Sequence, residues 1–167
     1  MNLYVLRHGE AAHLGEGNRR DADRPLTPRG LAEATLIGTA LARLDPAIAL
    51  LLCSPFIRAR QTAEAVAAQF PVSPALQETE SLSPGFRPKA LVARLQEIPP
   101  GDSVVVVGHQ PDLGAFITYV IEGESSASIA MPPAALAHIR FDADATSGAS
   151  LRWLLIPDVI TTLLSPR

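Results

Sequence analysis

Two arginines and two histidines stand where apolar runs end. YVLRHGEAAH carries Arg7 and His8 directly behind an apolar stretch, SVVVVGH ends on His109, and IALLLC is followed by SPFIRARQT, which holds Arg58. A guanidinium is a planar fork of donors that matches phosphate or carboxylate oxygens. Arg58 also falls near the start of an expected helix, and a helix N-terminus itself favours anions. A neutral imidazole can serve as a covalent nucleophile. A protonated one can stabilise phosphoryl oxygens as charge spreads over them in a transition state. Two guanidiniums beside two imidazoles repel a metal cation, and no carboxylate cluster accompanies them. The set suits a dianionic phosphoryl group.

Those residues need elements that bring them together. NLYVLR and SVVVVGH read as buried strands, as does IALLLC. HLGEGNRRDADRPL is polar and reads as a loop. Thr27 then Pro28 gives an N-cap followed by proline at the first helical position. Ala34, Ile37, Leu41 and Leu44 follow at helical spacing and form one apolar face. Ser54 and Pro55 repeat the same start signal, ahead of a stripe of Ala59, Ala63, Val66 and Phe70. The stretch from Pro71 to Pro88 is expected to be irregular. KALVARLQEI reads as a third helix, and QPDLGAFITYVIEG as a fourth that stops at Gly123. ALAHIRFDA and SLRWLLIPD around DATSG read as a hairpin.

This alternation predicts an α/β fold with three layers, α/β/α. The sheet is expected to be mainly parallel with a C-terminal antiparallel hairpin, in a single domain over residues 1–167. In such sheets ligands bind beyond the carboxyl ends of the strands, where the strand order reverses. Arg7 with His8, Arg58 and His109 are all expected on that rim.

Global properties narrow the classes. The chain has 167 residues, 47% hydrophobic and 19% charged, the balance of a folded domain rather than a disordered one. A net charge of −3 lacks the basic face of a general nucleic-acid binder. Cys53 is the sole cysteine, which excludes an internal disulfide and a multi-cysteine metal site. Lys89 is the sole lysine, which argues against Schiff-base chemistry and a Walker-type phosphate loop. No secretory leader and no run approaching roughly 18 apolar residues is visible, so a cytoplasmic location without membrane contact is expected.

LRHGEA, RPLTPRG, SPFIRARQT and VVGHQP together resemble the histidine phosphatase superfamily, also called phosphoglycerate mutase-like. The short chain, RPLT and LSPG are most similar to its SixA-type phosphohistidine phosphatase branch. The resemblance runs from Met1 to about Pro111. It implies that His8 is phosphorylated during turnover and that Arg7, Arg58 and His109 complete the phosphate pocket. It implies a hydrolase working through a covalent phosphohistidine intermediate, with no metal and no other cofactor. The expected partner is a phosphohistidine-bearing protein. A small phosphomonoester handled by a phosphomonoesterase or mutase is the alternative, and a non-catalytic phosphate-binding module is a third reading.

The remaining polar residues divide less sharply. Gly9 is expected to let the backbone turn and approach the phosphate. Glu80, and beside it Glu78, lie where broader superfamily members place a general acid, whereas SixA-type members are thought to do without one. Ser54 reads as a helix cap, and Glu10 and His13 as solvated. Arg24 reads as a surface residue within reach of the pocket rim. Arg60 points to another helix face than Arg58, and His138 reads as a structural or surface residue on a strand.

Overall fold

A computed structural model describes residues 1–15, 17, 20–99, 101–123, 128–141 and 148–164, with side chains to residue 162. The chain forms β1 (Asn2–Arg7), α1 (Pro28–Leu44), β2 (Leu50–Cys53), α2 (Ile57–Ala67) and β3 (Ala75–Glu78). It continues with α3 (Pro88–Gln96), β4 (Ser103–Gly108), α4 (Asp112–Glu122), β5 (Leu136–Phe141), β6 (Ala149–Leu155) and α5 (Pro157–Leu164). The strands make one sheet in the order β3-β2-β4-β1-β5-β6. β3, β2, β4 and β1 run parallel; β5 and β6 add an antiparallel hairpin at one edge.

The central strands are apolar on both faces because both faces are covered. Leu3, Val5, Val104 and Val106 pack with Leu91 and Leu95 of α3 and with Leu113, Phe116 and Ile117 of α4. Tyr4, Leu6, Val105 and Val107 pack on the other side with Ile37 and Leu41 of α1, Ala59, Ala63 and Val66 of α2, and Ile160 of α5. Each fully buried Leu or Ile contributes about 1.5–3 kcal/mol of transfer free energy. The expected three-layer architecture is therefore present, with α3 and α4 on one face and α1, α2 and α5 on the other.

Three details differ from the sequence reading. Leu44 ends the α1 stripe but is 57% exposed, so the packed face stops at Leu41. The supposedly irregular Pro71–Pro88 segment contains β3, an edge strand with mostly exposed side chains that carry no apolar alternation. SLRWLLIPD ends as a strand at Leu155, and Pro157 opens α5, to which Ile160 gives an inward contact. The DATSG turn lies largely outside the described residues.

The topology fixes where a ligand can sit. The chain leaves β1 toward β2 on one side and leaves β4 toward β5 on the other. β1 and β4 are hydrogen-bonded neighbours. Their carboxyl ends thus form the reversal point at which a parallel sheet opens a crevice.

Candidate active site

His8 and His109 follow the last paired residues of β1 and β4, Arg7 and Gly108, which are in register. The register brings the two rings together, 5.1 Å between centroids. The backbone at His8 is held on both sides: its N–H donates to Gly108 O at 3.0 Å, and its carbonyl accepts from Ala134 N at 3.1 Å. Arg58 enters from the second residue of α2, after β2 has ended beside β4. All three side chains are buried, with His8 9% exposed, Arg58 5% and His109 3%.

The His8 ring is oriented by its own neighbour. Nδ1–H donates to Gly9 O at 2.7 Å, which leaves the lone pair on Nε2, and Arg58 Nε donates to that atom at 3.2 Å. Burial pushes the His8 pKa down to about 4; the Gly9 carbonyl works against this, and Arg58 and Arg7 add to it. His109 is pushed down to about 3, first by burial and then by His8 and Arg58. Both imidazoles are therefore neutral at pH 7 in this state. The expected protonated histidine would need an anion in the site to lift its pKa.

Among the described residues, two buried polar nitrogens at the site lack partners. Arg7 donates from Nη1 to Met131 O at 2.7 Å, but its Nε is buried and unpaired. His109 Nε2 lies 2.8 Å from Ser54 Oγ, and its Nδ1 is likewise buried and unpaired. An unpaired buried polar group costs about 1–3 kcal/mol, so two in one site call for a polar occupant. Ser54 is thus a partner of His109. The cap position of α2 is held by Phe56, whose N–H reaches Ser54 Oγ at 3.3 Å. The Phe56 ring stands edge-on to His109 at 5.2 Å and under the Arg58 guanidinium at 5.0 Å.

Gly9 has a packing reason for being glycine. A Cβ there would lie 2.5 Å from Gly30 O, at the first turn of α1. Its N–H is taken by Thr62 Oγ1 at 3.1 Å, and Thr62 donates in turn to Arg58 O at 2.7 Å. Gly9 and Thr62 therefore tie the His8 loop to the Arg58 helix. Glu10 braces α1: its side chain accepts from Thr27 Oγ1 at 2.9 Å, and Thr27 caps the helix by accepting from Gly30 N at 3.0 Å.

The other polar residues fall mostly outside the cluster. Glu80 is exposed and accepts from Ser83 Oγ at 2.6 Å. Glu78 lies 3.8 Å from Arg60, itself paired with Glu64 on the outer face of α2. His13 is exposed. His138 stacks on Tyr4 at 4.7 Å and accompanies Trp153, a structural place on β5. Cys53 is buried, and burial pushes its thiol up to about 12. Arg24 is fastened to Ala12 O at 2.6 Å and to Asp21 Oδ1 at 2.8 Å.

Asp21 is the residue that the sequence reading missed. Arg58 donates from Nη1 to its carbonyl at 2.6 Å and from Nη2 to its Oδ2 at 2.9 Å. Alternating charges in NRRDADRP hint at pairing, but a partner 37 positions away leaves no local signal.

Residues 3–83 match the family described as the histidine phosphatase superfamily (branch 1). Phosphohistidine phosphatase SixA of Escherichia coli is 32% identical over 127 residues, 75% of this chain and 77% of that protein. The chain belongs to the histidine phosphatase superfamily. An uncharacterised Picosynechococcus protein in the same similarity range is 36% identical over 142 residues, 84% of this chain and 85% of its own. The solved structure of the protein histidine phosphatase SixA complexed with tungstate superposes with a TM-score of 0.84 at 27% identity, over 96% of this chain and 99% of that one. Superfamily membership and the SixA likeness support phosphatase activity, and the mixed sheet with its edge hairpin is the superfamily's fold.

Proposed function

We propose that this superfamily member hydrolyses phosphohistidine on a protein, in two steps and without a metal. His8 Nε2 attacks phosphorus and the P–N bond to the substrate imidazole breaks, the leaving imidazole keeping a proton on its other nitrogen. Water then attacks phosphorus, the P–Nε2 bond of His8 breaks, and phosphate departs with the proton that water gave up. The observation that carries the reading is the orientation of His8: its proton is pinned to Gly9 O, and its lone pair faces the Arg58 guanidinium. A nucleophile and an oxyanion-binding donor thus converge on one point. Arg7 Nε and His109 Nδ1 are the further donors, with the Ser54 hydroxyl donating to His109 Nε2 and so keeping the ring proton on Nδ1.

The choice of phosphohistidine follows from the carboxyl groups. Expelling an alkoxide calls for a positioned acid, a contribution of about 10²–10⁴-fold. Glu80 and Glu78 are occupied elsewhere by Ser83 and Arg60. Asp21 is ionised: burial would raise its pKa, but hydrogen bonds from Arg24 and Arg58 outweigh that and hold it below the usual range. A protonated imidazole leaves without such help. Among its described residues, the segment between Phe70 and Ser103 also builds only β3, a 3₁₀ turn and α3, whose Leu91 and Leu95 face the core. That economy suits a protein-borne phosphoryl group.

A substrate panel of phosphohistidine protein, phosphoserine peptide and small phosphomonoesters tests the assignment. Phosphohistidine should give the highest kcat/KM, and labelled substrate should trap an acid-labile phosphoenzyme that His8→Ala abolishes. Preference for an alkyl phosphate, or labelling that survives in His8→Ala, overturns it.

A further inference from the structure

The phosphoryl reading needs Arg58, but nothing in it requires a carboxylate beside that guanidinium. Asp21 supplies one, half-exposed, from the loop between β1 and α1. It takes Arg58 end-on, the carbonyl accepting from Nη1 and Oδ2 accepting from Nη2. A guanidinium has two usable edges for bidentate binding, the end-on pair and the side-on pair that includes Nε. With the end-on pair filled, the Nε edge is turned to His8 Nε2. The Asp21 carboxylate is itself braced, because Arg24 donates to Oδ1 and is anchored to the Ala12 carbonyl.

We infer that Asp21 is a positioning residue, which acts through Arg58 to present the Nε edge to the phosphoryl group attacked by His8. This rests on the phosphatase reading. The arrangement has an electrostatic cost, because an ionised carboxylate near the site repels a phosphate dianion. Asp21 therefore trades affinity for alignment, and the two effects separate by substitution. Asp21→Ala removes the side-chain arm but leaves the backbone carbonyl. Asp21→Asn keeps a side-chain acceptor for Arg58 and loses the charge.

The experiment measures kcat and KM on the preferred phosphorylated substrate, and the inhibition constant of inorganic phosphate, for wild type and both variants. Asp21→Ala should lose kcat by about 10–100-fold, the size of a small misplacement of a catalytic group. Asp21→Asn should recover most of that loss. Both variants should bind inorganic phosphate more tightly than wild type. A merely structural role would instead weaken phosphate binding along with kcat in both proteins, and that result overturns the inference. Unchanged kcat in both variants overturns it too. Should Asp21→Ala fail to fold, Asp21→Ser, whose short hydroxyl does not reach Arg58 Nη2, takes its place in the same comparison. A wild-type protein that hydrolyses no phosphorylated substrate and binds no inorganic phosphate refutes the phosphatase reading itself and takes this inference with it.

Discussion

Gly30→Ala sets two effects of opposite sign against each other. Gly30 lies in the first turn of α1, and alanine inside a helix is favoured over glycine by about 1 kcal/mol. Local propensity alone therefore predicts a more stable protein. The tertiary contact predicts the reverse. A Cβ at Gly30 would overlap the Glu10 carbonyl oxygen and stand 2.6 Å from the Glu10 nitrogen. Both are backbone atoms, so no side-chain rotation relieves the contact. Overpacking costs about 1–3 kcal/mol, and a backbone-on-backbone clash belongs at the top of that range. Subtracting the propensity gain leaves a loss of about 2 kcal/mol, or a Tm lowered by about 4–8 °C for a domain of this size. The damage should also reach the site, because Glu10 is two residues from His8 and Gly9 O holds the His8 ring. Thermal unfolding and kcat/KM of the variant check both parts. A Gly30→Ala protein as stable and as active as its parent refutes the reasoning.

Two further outcomes follow from the site. His8 and His109 have folded pKa values of about 4 and about 3, below the ordinary 6.5. Depressed histidines leave stability flat above pH 6.5 and lower it as pH falls, because only the unfolded chain takes up the protons. Each contributes a loss of about 1.4 kcal/mol per pH unit between 6.5 and its folded value. Urea midpoints measured from pH 8 to 5 should show the decline, reduced in His8→Ala; an equal slope in that variant contradicts the burial argument. Glu80→Gln should leave phosphohistidine hydrolysis unchanged, since Glu80 is paired with Ser83. A drop of tenfold or more in kcat/KM, the least expected of a general acid at about 10²–10⁴-fold, would place Glu80 in the chemistry.

The sequence alone determined the layers and singled out four residues at strand ends. Strands buried on both faces read as continuous apolar runs, and each of these ends in a residue of a different chemical type, so Arg7, His8, Arg58 and His109 stand out locally. Thr27 with Pro28 fixed the start of α1 for the same reason: a cap is a contact within one turn. What the tertiary structure decided is the set of contacts between distant segments. β3 is an edge strand whose exposed side chains carry no alternation, so only its pairing with β2 defines it. Ser54 looked like a cap because the Ser-Pro pattern is local, whereas its bond to His109 spans 55 positions. Gly9 looked like a turn glycine until its backbone was seen to touch that of Gly30. Asp21 could not be picked from its neighbours, since Arg20, Arg24 and Arg58 are all arginines and only folding brings the last of them to its carbonyl and carboxylate. Local patterns record what one strand or helix must bury; the partner of a polar side chain is recorded only in the assembled fold.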